Sequence, residues 1–178
     1  LLPTTGGAAA PIGAAPITTD DGVKNAYAKG VAMGADLVGK ADGKPDFQVM
    51  AMRDANSAPL QRIQVVKGWL DANGKAQEKV FDVACSDGGK IDPKTQRCAD
   101  NGATVDVKTC AYSQDKGDAE LSAVWSDPEF DPKLNAFYYA RVLENPTCRL
   151  STWDANRLGI EPNPDLQKTI QERAYTSP

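Results

Sequence analysis

The dipeptide Asn73-Gly74 constrains this chain most, because it lies between two apolar runs of strand character. Leu60–Leu70 carries Ile63, Val65, Val66 and Trp69, and Val80, Phe81 and Val83 follow the turn. Asn and Gly both tolerate the positive φ of tight hairpin turns, so the two runs predict paired antiparallel strands. Phe47–Met52 places a bulky apolar residue at nearly every second position, Ala103–Thr109 alternates through Val105 and Val107, and Glu120–Trp125 through Leu121 and Ala123. Asn135–Leu143 adds an aromatic strand with Phe137, Tyr138 and Tyr139. Six strands spaced by roughly 10 to 20 residues predict a mainly β fold, an antiparallel β-sandwich of immunoglobulin-like kind with long loops. Helical character is confined to a turn around Val23–Lys29 and two short C-terminal helices, at Trp153–Leu158 and Asp165–Arg173.

Four well-separated cysteines, Cys85, Cys98, Cys110 and Cys148, bear on both fold and compartment. None forms a Cys-x-x-Cys pair, the usual source of structural zinc thiolates. Two disulfides are therefore expected, and with them an exported protein in the periplasm or outside the cell. Of the three possible pairings, Cys85–Cys98 with Cys110–Cys148 is favoured, because the first closes the polar, turn-rich stretch from Ser86 to Gly102; the spacing leaves the other two open.

Histidine is absent. The commonest general base near neutral pH and the commonest transition-metal ligand are missing with it, which excludes a Ser-His-Asp triad, a Cys-His pair and a His-ligated zinc within this chain. A net charge of −4 without a Lys/Arg cluster argues against a nucleic-acid partner. No apolar run approaches the roughly 20 residues of a membrane span.

Residues 1–19, rich in Gly, Ala, Pro and Thr and without charge, read as a linker or extended arm. They lack the basic start and continuous apolar stretch of a signal peptide. Residues 20–178 read as one β-rich domain, loop-like as far as Gly43. The opening Leu1-Leu2-Pro3 and the closing Tyr175-Thr176-Ser177-Pro178 read as the edges of a fragment of something longer.

Three acidic groupings resemble ion sites, and each has a simpler reading. Asp127, Glu129 and Asp131 alternate like the start of a calcium loop, but Pro132 and Tyr138 stand where such a loop needs Gly and Glu, so a turn with carboxylates capping N–H groups is expected. Asp71, Asn73 and Gly74 are explained by the hairpin. Asp82 and Asp87 flank Cys85 in a solvated loop. Tyr138, Tyr139 and Arg141 offer a stacking platform, against the plainer expectation of one strand face in the core and the other in cross-strand pairs.

From about Lys24 onward the phrases Gly30–Leu37, Arg62–Trp69, Glu78–Ala84, Ala123–Pro132, Ala136–Glu144 and Ile170–Pro178 follow one another in an order that resembles the C-terminal region of a large bacterial family, domain-of-unknown-function family 3604. Long members of that family carry an N-terminal barrel similar to the polymerase and histidinol phosphatase (PHP) metal-dependent phosphoesterases. The resemblance implies hydrolysis of a phosphate ester at a divalent metal held by the barrel's His and Asp ligands. No catalytic residue, cofactor or metal ligand transfers to this chain. What it implies here is a non-catalytic accessory C-terminal domain of an exported hydrolase-like protein, partnered by the barrel of the same parent. A stand-alone sandwich that binds carbohydrate or another surface ligand is the alternative. Candidate contact residues are Gly30, Met33, Gly34 and Asp36, where two glycines four apart permit close backbone approach, followed by Glu172 and Arg173 as an ion pair or clamp.

Overall fold

The structure, a computed structural model, describes residues 4–10, 19–37 and 44–178. In chain order its elements are β1 (Thr4–Ala10), α1 (Asp20–Lys29), β2 (Val31–Ala32), β3 (Asp46–Met52), β4 (Leu60–Leu70), β5 (Ala76–Cys85), β6 (Ile91–Asp92), β7 (Arg97–Cys98), β8 (Glu120–Ser126), β9 (Ala136–Glu144), β10 (Thr147–Cys148), α2 (Leu150–Leu158), β11 (Thr169–Ile170) and β12 (Arg173–Tyr175). Two four-stranded sheets, in the orders β2-β1-β3-β8 and β12-β9-β4-β5, are antiparallel throughout. The core cluster draws Val49, Ala51 and Leu121 from the first sheet and Ile63, Val65, Phe81 and Val142 from the second. The mainly β, sandwich-like architecture is the one expected from strand periodicity. Each fully buried side chain of Phe81 or Ile63 size contributes about 2 kcal/mol of hydrophobic stabilisation.

The β4–β5 hairpin forms where Asn73-Gly74 places it, but with a different turn. Gly74 N–H donates to the Asp71 carbonyl, and of the two residues only Gly74 takes positive φ (+74°). Asp71 supplies what a two-residue turn lacks: its carboxylate accepts from the N–H groups of Asn73 and Lys75 and from the Gln77 amide. Two register shifts in β4 then set its faces. In the pairing with β9, Gln61 is the extra residue, so Leu60 and Ile63 both reach the core although three residues apart. In the pairing with β5, Val83 is the extra residue: Gln64 faces Asp82 before it and Ile63 faces Ala84 after it, while Phe81 and Val83 stay in the core.

Three local expectations give way to tertiary constraints. The stretch Asp165–Arg173 is not helical: Thr169–Ile170 pairs with Thr147–Cys148, and Asp165 N–H is held by the Asn163 side chain between Pro162 and Pro164. Ala103–Thr109 contributes only an isolated bridge, Val105 to Tyr112, because Asp106 binds Lys108 N–H and the Thr109 hydroxyl and bends the chain into a turn that ends at Cys110 (φ +57°). The turn expected around Val23–Lys29 is the full helix α1, capped by Thr19, whose hydroxyl accepts from Gly22 N–H at 3.0 Å, with Asp20 and Asp21 in its first turn.

Within the stretch read as an arm, Thr4–Ala10 runs as β1 between β2 and β3, paired with β3 from Thr4↔Met52 to Ala10↔Asp46. The remainder of that reading, residues 1–3 and 11–18, and Gly39 and Gly43 of the loop-like stretch, lie outside the described residues. Both disulfides form in the favoured pairing, Cys85–Cys98 and Cys110–Cys148. The second ties the Cys110 turn to β10, just before α2. That helix ends at Gly159 in the left-handed conformation and anchors Asn156 on the Val107 carbonyl.

Candidate functional site

Strand alternation and register define the outer face of the β12-β9-β4-β5 sheet. Ile63, Val65, Phe81, Ala140 and Val142 point to the core, so their neighbours Gln64, Asp82, Tyr139 and Arg141 point away from it. Cross-strand pairing lines up Tyr175, Arg141, Gln64 and Asp82 in one row across all four strands. Asp82 anchors the row. Its side chain is fully buried and accepts four hydrogen bonds: Gln64 Nε2 at 2.7 Å and Arg97 Nη1 at 3.1 Å on Oδ1, Arg62 Nη1 at 2.9 Å and the Cys98 N–H at 2.7 Å on Oδ2. Because the carboxylate only accepts, Gln64 must turn its nitrogen toward it. That orientation presents Gln64 Oε1 to Arg141 Nε, 2.7 Å away. One carboxylate thus orients three guanidinium groups, two directly and one through an amide. The Arg62 and Arg97 side chains are 16% and 43% exposed. Arg97 also lines an open hollow of about 430 Å³ with Lys90, Asp92 and Thr95.

Aromatic rings continue this face beside the arginines. Phe137 and Tyr139 stack with ring centroids 6.5 Å apart and planes 8° apart, and Tyr175 sits 6.3 Å from Tyr139. Phe137 lies over Gly68, where a Cβ would come 2.2 Å from the ring edge. Phe137 and Tyr175 each keep about half of their surface exposed. The platform reading thus divides along the strand: Tyr139 and Arg141 face outward, whereas Tyr138 turns inward with its ring 4.6 Å from Phe47.

Tyr138 belongs to a second polar cluster, at the inner end of the sandwich. Lys67, 4% exposed, donates to Asp127 Oδ2 at 2.5 Å and to the Glu129 carbonyl at 2.8 Å, and Tyr138 donates to the same Oδ2 at 2.8 Å. Burial, reinforced by the Asp127 carboxylate, pushes the Tyr138 phenol far above its ordinary range, so it stays a donor. Asp127 Oδ1 caps Glu129 N–H and Asp131 Oδ1 caps Lys133 N–H, which is the turn expected for that acidic run, while the Glu129 side chain pairs with Lys79. Asp87 accepts the Gly117 N–H and the Ser86 and Asn101 side chains, and these bonds outweigh burial and hold its carboxyl below the usual range. Among the described residues, no group of three or more His, Cys, Asp or Glu is placed to hold a metal ion.

The candidate contact residues occupy two places. Gly34 takes φ +84° and donates its N–H to the Pro178 carbonyl at 2.9 Å, with Ser177 directly beside its Cα. The Gly30–Leu37 and Ile170–Pro178 phrases therefore meet in space, and Met33 and Asp36 stay exposed beside that contact. Glu172 and Arg173 are exposed and form no ion pair with each other among the described residues; they line an open hollow of about 610 Å³ with Arg149, Gln167 and Gln171. The arginine cluster is the feature that motif reading missed as a unit. Counting outward from the hairpin turn does place Asp82 opposite Gln64, but Arg97 and Arg141 join them only through the sheet and the disulfide loop.

The molecule is a disulfide-braced antiparallel β-sandwich whose outer sheet face combines stacked aromatic rings with a carboxylate-anchored arginine cluster. The model of the family described as "Protein of unknown function (DUF3604)" matches residues 8–178, and the chain belongs to that family. No curated protein and no solved structure matches it. The two disulfides point to an oxidising compartment, and among the described residues no helix is long and apolar enough to cross a membrane.

Proposed function

We propose that this chain is a non-catalytic accessory C-terminal domain of a larger periplasmic or extracellular protein of metal-dependent hydrolase type, with phosphoesterase chemistry in a separate barrel. The observation that carries the reading is the use made of two of the three fully buried carboxylates, Asp82 and Asp127. Asp82 accepts four hydrogen bonds and Asp127 three, all from this chain, and both tie loops to strands. Every oxygen of both is engaged within the chain, and the third, Glu144, whose Oε1 has no partner among the described residues, is only 1% exposed and so closed to a substrate. The resemblance of its six phrases to the C-terminal region of long family members supports the placement beside a barrel, and the two disulfides support export. The divalent metal belongs to the barrel. The Gly30–Asp36 loop with Glu172 and Arg173 is the surface offered to it.

Assaying phosphate-ester hydrolysis with added divalent metals tests the reading in three forms: this chain, the parent, and the parent lacking residues 20–178. The expected result is no turnover by the chain alone, and activity or thermal stability of the parent that falls when the domain is removed. Turnover by the isolated chain would overturn it. The exposed Phe137–Tyr139–Tyr175 row favours a second reading, a stand-alone carbohydrate-binding module. Affinity electrophoresis through polysaccharide gels separates the two, since that module is retarded and loses retardation in Phe137→Ala and Tyr175→Ala.

A further inference from the structure

We propose that Arg62, Arg97 and Arg141 form a binding site for a tetrahedral oxyanion, a phosphate or sulfate group, on the outer face of the β12-β9-β4-β5 sheet. The charge balance is the first argument. Three guanidinium groups share a single carboxylate, Arg141 through Gln64, and Lys90 and Asp92 on the hollow beside Arg97 offset each other, so the cluster keeps an excess of two positive charges in a chain whose net charge is −4. A scaffold role for Asp82 needs no third cation, and placing Arg141 against the amide of a residue already bound to Asp82 adds like-charge repulsion that an anion relieves.

Pre-organisation is the second argument. Asp82 and Gln64 are 1% and 5% exposed, so the groups that aim the arginines are themselves locked by packing. Arg141 is held through Nε alone and Arg97 through Nη1 alone; among the described residues their other N–H groups have no partner. Those remaining donors suit bidentate recognition of an oxyanion, which arginine makes better than lysine. Tyr175 ends the row with its ring 6.3 Å from that of Tyr139, and Lys90 lines the same hollow as Arg97. An anionic group carried on a ring-shaped organic moiety fits this pairing of charge and aromatic surface.

The proposal does not depend on the hydrolase reading, and its test involves no turnover. Inorganic phosphate and, separately, sulfate are titrated into the full chain by calorimetry at low ionic strength, with sodium chloride matched in both cells. Saturable binding is expected, weakened about tenfold or more by Arg141→Gln and by Arg97→Gln. Arg157→Gln, which alters an arginine packed on Trp153 of α2, is expected to leave binding unchanged. Stronger phosphate than sulfate binding assigns a phosphate group, and the reverse a sulfate group. Circular dichroism of each variant in chloride verifies folding; should Arg97→Gln disturb the disulfide loop, Arg141→Gln alone decides. No saturable binding, or equal binding by folded Arg141→Gln, overturns the proposal whatever the fate of the accessory-domain reading.

Discussion

Lys67 carries its charge to the inner end of the sandwich, where Asp127, the Glu129 carbonyl and the rings of Trp69 and Tyr138 receive it. Removing one partner of such a pair strands the other in a poorly solvated place, at a cost of about 3–5 kcal/mol. Asp127→Ala is therefore expected to lose that much in urea unfolding, whereas Lys67→Met combined with Asp127→Asn recovers part of the loss, since the Asn oxygen still accepts from Glu129 N–H and its NH2 donates to the Tyr138 hydroxyl oxygen. Glu144 poses the opposite problem. It is 1% exposed, one carboxylate oxygen accepts from Ser57 at 2.5 Å, and the other has no partner among the described residues. Burial, aided by the charges of Glu172 and Asp54, raises its pKa despite the Ser57 bond. A carboxyl raised in the folded state binds its proton more tightly there than in the unfolded chain. Its contribution is thus complete below the unfolded value and is lost as pH rises through the folded one. Glu144→Gln is expected to be more stable than the parent at neutral and alkaline pH, with the difference shrinking on acidification. Thermal melts across pH 3–8 verify this, and parallel curves for the two proteins would refute it.

At the scale of elements, the face a strand presents depends on small residues and bulges as much as on alternation. Gly68 sits opposite Phe137 in the β4–β9 ladder, and the ring occupies the space a Cβ needs. Gly68→Ala should lower stability by about 1–3 kcal/mol through overpacking and displace the Phe137–Tyr139 stack. A shift of the Phe137 and Tyr139 ring resonances reports the displacement, and Phe137→Ala in the Gly68→Ala background should restore much of the stability. Most of the strands could be read from period-two alternation because that pattern is local. The helix expected at Asp165–Arg173 could not be corrected locally: β10 recruits Thr169–Ile170 into a ladder from far along the chain. Nor does alternation show that Ala103–Thr109 yields to the turn chemistry of Asp106. The register shift at Val83, invisible in composition, puts Cys85 rather than Ala84 opposite Arg62, and the disulfide from Cys85 to Cys98 holds the Arg97 loop against Asp82.

For the whole molecule, the disulfides close loops of unequal length, with sequence separations of 13 for Cys85–Cys98 and 38 for Cys110–Cys148. Loop-closure entropy makes their contributions about 3 and about 4 kcal/mol. Replacing Cys110 and Cys148 by Ser should lower the melting temperature more than replacing Cys85 and Cys98, and a reductant should abolish the difference between each variant and the parent protein. Only the shorter bridge touches the arginine cluster, because Cys98 N–H is one of the four donors to Asp82. The sequence by itself determined what depends on near neighbours: the hairpin at Asn73-Gly74, the mainly β character, the capping turns at Asp127 and Asp131, and membership of a family recognisable by its phrases, whereas of the three disulfide pairings it only favoured one. Tertiary structure alone decided which groups meet across distance, such as Lys67 with Asp127, Gly34 with Pro178, and Arg62, Arg97 and Arg141 around Asp82. The physical reason is that a period of two says a strand has two faces, whereas burial of one of them, register and bulges settle which face is outward and what lies beside it.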